Sequence, residues 1–230
     1  MMLRYRYLAV ATLAALAGTL PMAGAVSAAD PVPAADGPAV LTNGAGGADL
    51  AVGDVISAAL KAGTTVNFFS SASGSTGVRC AVSTFSATVD SNPVAPGTAE
   101  ETLTAQNFSS CTSNIFGTTG VRGVTVNNLP FHTTVDSATK SVTVTGSAAG
   151  PIRTTAVLNT ILGTVTCVYE ADGNTLTGTA ANDDNSITFT GQKFNKVSGP
   201  ATCFGNGYFS ATYSPVQNSS APDTPGVYVN

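Results

Sequence analysis

The sequence predicts an all-β protein, an antiparallel β-sandwich with a β-barrel as the alternative, stapled by two disulfides. Three observations predict it. Charged residues make up 10% of the chain, where about 25% is usual, and Thr, Ser, Asn and Gly carry the polarity instead. Such side chains suit pleated surfaces and turns, and they compete with the backbone hydrogen bonds of helices. About ten short segments rich in β-branched and aromatic residues recur at roughly 8–12-residue spacing, divided by Gly, Pro, Asn or Asp. Four cysteines, Cys80, Cys111, Cys167 and Cys203, make an even set.

The chain begins "MMLRYRYLAVATLAALAGTLPMAGAVSAAD". Arg4 and Arg6 form a basic start, Leu8 to Leu20 an apolar stretch too short to span a bilayer, and Val26-Ser27-Ala28 a small-residue cleavage site. Residues 1–28 therefore read as a secretory signal. Residues 29–48 are rich in Pro, Gly and Ala without a period and read as a flexible leader. "AVGDVISAALKAG" is open between a short helix capped by Asp54 and two strands that turn at Gly53-Asp54. Beyond Gly63 the strand pattern settles, and residues 49–215 read as one β domain.

Within that domain Asp172-Gly173 predicts a two-residue hairpin between "TCVYEA" and "NTLTGT", because a type I′ turn needs positive φ at both central positions. "DSATK" at 136–140 predicts a longer hairpin loop between "FHTTV" and "SVTVTG". Alternation places Phe209, Ala211 and Tyr213 on one strand face, and Val165, Cys167 and Tyr169 on one face of another. "TAVLNTILG" at 155–163 reads as an apolar strand, with a helical turn as the alternative. Past Pro215, "VQNSSAPDTPG" has linker composition, so residues 216–230 read as a flexible tail.

Gln-x-Phe precedes a cysteine twice, at Gln106-Asn107-Phe108 and at Gln192-Lys193-Phe194. A further cysteine lies 26 residues before the first glutamine and 25 before the second, counted along the chain. A weak internal duplication accounts for this, and it assigns one bridge to each half, Cys80–Cys111 and Cys167–Cys203. Even cysteines in an exported chain read as disulfides, and no pair has the close spacing of a structural zinc site.

Four stretches, "CAVSTFSATVDSNPVAPGTAEETLTAQNFSSC", "VTVNNLP", "VLNTILGTVTCVY" and "NDDNSITFTGQKF", carry a resemblance. Over about Leu50 to Pro215 the chain resembles a group of secreted actinobacterial β-rich proteins of unknown function, usually labelled only by their signal sequence. The resemblance implies export from a high-GC Gram-positive bacterium. It implies no activity, and it brings no functional residue with it.

Charge and chemistry narrow the function classes. Loss of Arg4 and Arg6 with the signal leaves seven basic residues against thirteen acidic ones, a net charge of −6. That sign offers phosphate backbones no attractive surface, so nucleic acid is not an expected partner. No second apolar run reaches spanning length, so no membrane span is expected.

His132 is the lone histidine, and alternation puts it on the face opposite Phe131 and Thr133. No G-x-S-x-G string accompanies it. Glu100 and Glu101 are adjacent on a strand and point to opposite faces, so they cannot flank one bond together. "ADGN" at 171–174 and "NDDN" at 182–185 supply oxygen donors, but those residue types are also what tight turns require. No metal site is expected; were one present, Asp172, Asp183 and Asp184 would hold it.

Thr143 and Thr145, and likewise Thr175 and Thr177, present hydroxyl-rich strand faces of the kind common on solvated sheets. No catalytic residue and no cofactor is implied. The expectation is a secreted, non-enzymatic extracellular or cell-envelope binding or structural protein. The alternative is a small secreted hydrolase that uses Asp/Glu and His132.

Overall fold

The computed structural model describes residues 37–230. The expected signal at 1–28 and the first part of the leader lie outside the described residues. Fifteen strands follow in order: β1 (Leu41–Asn43), β2 (Val55–Ala59), β3 (Val66–Phe69), β4 (Gly77–Ser91), β5 (Thr98–Ser113), β6 (Thr118–Asn127), β7 (Phe131–Asp136) and β8 (Ser141–Thr145). They continue with β9 (Arg153–Thr160), β10 (Gly163–Ala171), β11 (Thr175–Ala181), β12 (Ser186–Ser198), β13 (Asn206–Tyr213), β14 (Gln217–Asn218) and β15 (Val227–Val229). The all-β class is as expected.

Eight antiparallel strands, in the order β11-β8-β7-β5-β4-β3-β13-β12, form a barrel that closes where β12 pairs with β11. The barrel, rather than the sandwich, is thus the architecture adopted. Its long strands explain the closure. β4, β5 and β12 run 15, 16 and 13 residues, and their ladders shift register at Ser86/Ala87, at Val89/Ser91 and between Phe189 and Gln192. An extra residue in one strand bends it and sharpens its twist, which a flat sheet needs in order to curl shut.

Long strands also change partners along their length. β12 pairs with β11 over Ser186–Phe189, then with β10 from Phe194 onward. Strands β10, β9 and β6 therefore branch from the barrel as an extension of the same sheet. β4 carries β3 at Gly77–Cys80 and β2 at Thr84–Thr88, with β5 along its other edge.

Both expected disulfides are formed, Cys80–Cys111 and Cys167–Cys203. The first links directly opposed residues of β4 and β5. The second links β10 to the turn that precedes β13.

Three expectations need correction. Asp172-Gly173 does not join a hairpin: residues Asp172–Asn174 form a single 3-10 turn, β10 pairs with β9 and β12, and β11 pairs with β8 and β12. Positive φ occurs at Gly173, 62°, as expected, but the second left-handed residue is Asn174, 55°, rather than Asp172, and the turn carries the chain from the extension into the barrel wall. The tail at 216–230 is not a loose linker. It forms β14, which pairs with β2, and β15, which pairs with β1, and Val216, Asn218, Val227 and Val229 are buried. The end of the expected leader is ordered too, because Leu41–Asn43 is the partner of β15.

The two ambiguous segments both resolve as strand, Val55–Ala59 after a turn at Val52-Gly53 and Arg153–Thr160 before a turn at Ile161-Leu162. "DSATK" joins β7 to β8 as a hairpin.

The paired β1 and β15 form a small separate sheet held by asparagine side chains that imitate backbone. Asn182 Nδ2 donates to Val229 O at 2.8 Å and its Oδ1 accepts from Val229 N at 3.0 Å. Asn185 Nδ2 donates to Val227 O, and Asn92 Oδ1 accepts from Leu41 N.

Higher in the molecule an aromatic cluster fills the junction of barrel and extension. The Phe68 ring lies 5.0 Å from Tyr169, 5.5 Å from Phe194 and 5.8 Å from Phe204 between centroids. Gly207 makes that possible, because a Cβ there would sit 2.0 Å from Phe68 Cζ.

Candidate functional site: the barrel lumen

The barrel wall and the extension together line a partly open cavity of about 130 Å³. Alternation delivers its lining. In β7 the residues Phe131, Thr133 and Val135 are buried while those between them are only half-buried, and Val142 and Val144 of β8 do the same. Phe108, Val144, Phe189 and Phe209 of the barrel face Val124 and Ala156 of the extension across the space. Below it a pocket of about 30 Å³ runs from Glu101 to Leu41, Val227 and Val229, so the β1–β15 sheet stands beneath the lumen.

Few polar groups enter this apolar space, and each has a traceable cause. Between Leu103 and Ala105 the β4–β5 ladder skips Thr104, whose hydroxyl donates to Ser86 O. The bulge turns Gln106 inward. Gln106 Nε2 donates to Ser83 Oγ at 2.8 Å and to Tyr213 OH at 2.9 Å, and Ser83 Oγ and Tyr213 OH are themselves 2.9 Å apart. Burial pushes the Tyr213 phenol up to about 12, which keeps it neutral and able to donate. Arg153 also reaches the lining, but its Nε donates to Glu170 Oε1 at 2.9 Å and its Nη2 to the same oxygen.

Glu101 and Thr133 are different. They oppose one another directly in the β5–β7 ladder, they are only 7% and 4% exposed, and both line the cavity. Thr133 Oγ1 is buried without a hydrogen-bond partner. Burial first, and the neighbouring Asp90 second, push the Glu101 carboxyl up to about 7. An unpaired buried hydroxyl costs about 1–3 kcal/mol and a buried carboxylate without a counter-charge is costly as well, so the two side by side are not what a well-packed core selects.

The residues singled out from sequence lie elsewhere. Asp172 occupies the turn before β11, where the Asn195 amide and the Lys193 ammonium hold its carboxyl below the usual range. Asp183 and Asp184 sit in the turn after β11, and Lys61 Nζ donates to Asp184 Oδ2 at 2.8 Å and lowers its pKa. A seven-residue strand separates the two turns, so the structure does not bring these three carboxylates together. Among the described residues no group of three or more His, Cys, Asp and Glu is placed to hold a metal ion.

His132 lies on the outer face of β7, between Thr102 and Thr145 of the neighbouring strands. The barrel wall therefore separates it from Glu101. Glu100 is exposed while Glu101 is buried, in line with alternation. On the outer wall Thr143 is opposite Thr177 and Thr145 is opposite Thr175.

The two Gln-x-Phe strings share one structural trait. Each follows a register shift, and Phe108 and Phe194 both reach the cavity, flanking Phe209 at 6.4 and 6.5 Å between centroids. Their glutamines diverge, since Gln192 instead accepts from Thr177 N and donates to Thr190 O.

Comparison with known proteins finds no match: no family model, no curated protein and no solved structure is similar to the chain.

Sequence reasoning missed Glu101 and Thr133 as a pair. The signal for the first was present, because Ala99, Glu101 and Leu103 alternate as one inward face. The signal for the second required knowing that β5 lies against β7.

Proposed function

We propose that the chain is an exported binding protein that holds a compact apolar molecule inside its barrel. The observation that carries this reading is the lumen itself, predominantly apolar yet lined by two adjacent buried polar side chains, Glu101 and Thr133, the second with a hydroxyl that has no partner. The pocket has a volume of about 130 Å³. Apolar cavities of about 150 Å³ take up benzene, which sets the scale of the ligand at one ring with a short substituent.

Export is supported by the signal-like residues 1–28 and by two disulfides, which persist in oxidising compartments. We place maturation after Ala28 within one residue; N-terminal sequencing of the protein from culture supernatant tests it. The partner at the cell envelope or outside the cell would be the source or the recipient of the ligand. Binding requires no chemistry from His132, which lies outside the wall.

The test is isothermal titration of the mature protein with single-ring apolar molecules, paired with Ala156→Phe, which fills the lumen. Saturable binding that disappears in Ala156→Phe, with the melting temperature retained, is the expected result. Absence of saturable binding across the set would end the reading.

A further inference from the structure

The donors that line the lumen, the Gln106 amide and the Arg153 guanidinium, already have protein acceptors. Beside them Glu101 brings a carboxyl and Thr133 a hydroxyl without a partner, and the exposed Asp90 of β4 adds negative potential from outside the wall. Cross-strand neighbours on one face have Cβ atoms about 5 Å apart, so a single atom can reach both side chains. The positive charge that reaches the lining, on Arg153, is taken up by Glu170. The space therefore offers acceptors and negative potential without a free cation among the described residues to balance them.

We infer that the molecule held in the lumen is a compact apolar amine, its ammonium group set between the Glu101 carboxylate and the Thr133 hydroxyl oxygen. The inference rests on the lumen being a ligand site. An ammonium has three donors and no acceptor, which suits a carboxylate beside a hydroxyl oxygen that lacks a partner. Its ordinary pKa, about 10 for an alkylamine such as lysine, lies above the value of about 7 to which burial and Asp90 push Glu101. The proton therefore stays on nitrogen and the pair is ionic, which is the arrangement that makes a buried carboxylate tolerable.

The alternatives fit less well. A carboxylate or phosphate head would meet Glu101 and Asp90 with like charge. An alcohol could satisfy Thr133 but would leave the carboxyl without a counter-charge. A hydrocarbon would leave both groups unpaired in a drier space than before.

Three probes of similar shape separate these cases: phenethylamine, phenethyl alcohol and propylbenzene, titrated calorimetrically at neutral pH into the wild type, Glu101→Gln and Thr133→Val. The expected result is that the amine binds about tenfold or more tighter than the alcohol, the margin of a charge-assisted pair over a neutral one. Glu101→Gln, which keeps the side chain's shape, should erase that preference of amine over alcohol. Thr133→Val should weaken the amine about threefold to tenfold, as the loss of one hydrogen bond does. Equal affinity for amine and alcohol, or amine binding indifferent to Glu101→Gln, overturns the inference and leaves the lumen as a site for neutral molecules. Failure of all three probes to bind the wild type overturns the site and the inference together.

Discussion

Glu101 sets the sign of a pH effect on stability. Its carboxyl is raised from 4.5 to about 7 in the folded chain, so below the lower value both states are protonated and the residue contributes nothing. Between the two values the unfolded chain loses the proton while the folded chain keeps it, and the resulting penalty is complete above pH 7. A shift of that size corresponds to about 3 kcal/mol. Glu101→Gln should therefore raise stability by up to about 3 kcal/mol near pH 8 and change it little near pH 4, as read from urea unfolding at each pH. Thr133→Val, which removes a buried hydroxyl that has no partner, should stabilise by about 1 kcal/mol at both pH values. A Glu101→Gln gain of equal size at low and high pH would show that the carboxyl is not shielded in the fold. Much of this was within reach of the sequence, since a glutamate between Ala99 and Leu103 on an inward face is legible from alternation alone. Its environment was not, because Thr133 and Asp90 come from two other strands.

The β1–β15 sheet is the element that local reasoning handled least well. Its strands pair Leu41 with Val229 across nearly the whole described chain, and before Val227 the closing segment has few apolar residues among its Ser, Pro, Asp and Gly. Composition reads that as a linker; burial of Val216, Val227 and Val229 is a gift of distant partners. Asn182 supplies much of the attachment, giving one hydrogen bond to Val229 O and taking one from Val229 N, while Lys140 Nζ also donates to Val229 O at 2.7 Å. Asn182→Ala strips the amide N–H of its partner and removes one of two donors to the carbonyl. The expected loss is about 1–2 kcal/mol, visible as a lower denaturation midpoint. Hydrogen exchange should speed up at Val227–Val229 before it does anywhere in β4 or β5. Unchanged exchange at Val229 would mean that the side chain is not what holds the strand. The Asp172-Gly173 turn teaches the complementary lesson: the left-handed backbone was legible in the residues, and the strands it would join were not.

Across the whole molecule, class and crosslinks were written in composition and cysteine spacing, whereas closure was not. A sandwich and a barrel use the same alternating strands, and the choice between them rests on bulges in β4, β5 and β12 together with the pairing of β12 to β11. Such pairings are non-local and leave no periodic mark. The two bridges, read correctly from sequence, brace this fold in different ways. They close chain segments of 31 and 36 residues, so the chain-entropy estimate assigns each a similar contribution, on the order of 4 kcal/mol. Their surroundings are dissimilar. Cys80–Cys111 sits inside a ladder that runs from Val78 opposite Ser113 to Ser91 opposite Glu100, and those hydrogen bonds remain if the sulfurs are lost. Cys203 lies outside any strand, next to Phe204, which rests on Phe68 and Tyr169; the bridge, together with Lys196 Nζ donating to Cys203 O at 3.0 Å, holds this turn against β10. Replacing Cys80 and Cys111 by alanine should therefore lower global stability by about 4 kcal/mol yet leave β4 and β5 among the last amides to exchange. Replacing Cys167 and Cys203 should cost about the same in a urea melt, but the amides of residues 199–205 should exchange far faster than in the wild type under fully native conditions. If both pairs gave the same exchange pattern, the turn would be held by its packing alone and the second bridge would act only on the unfolded chain.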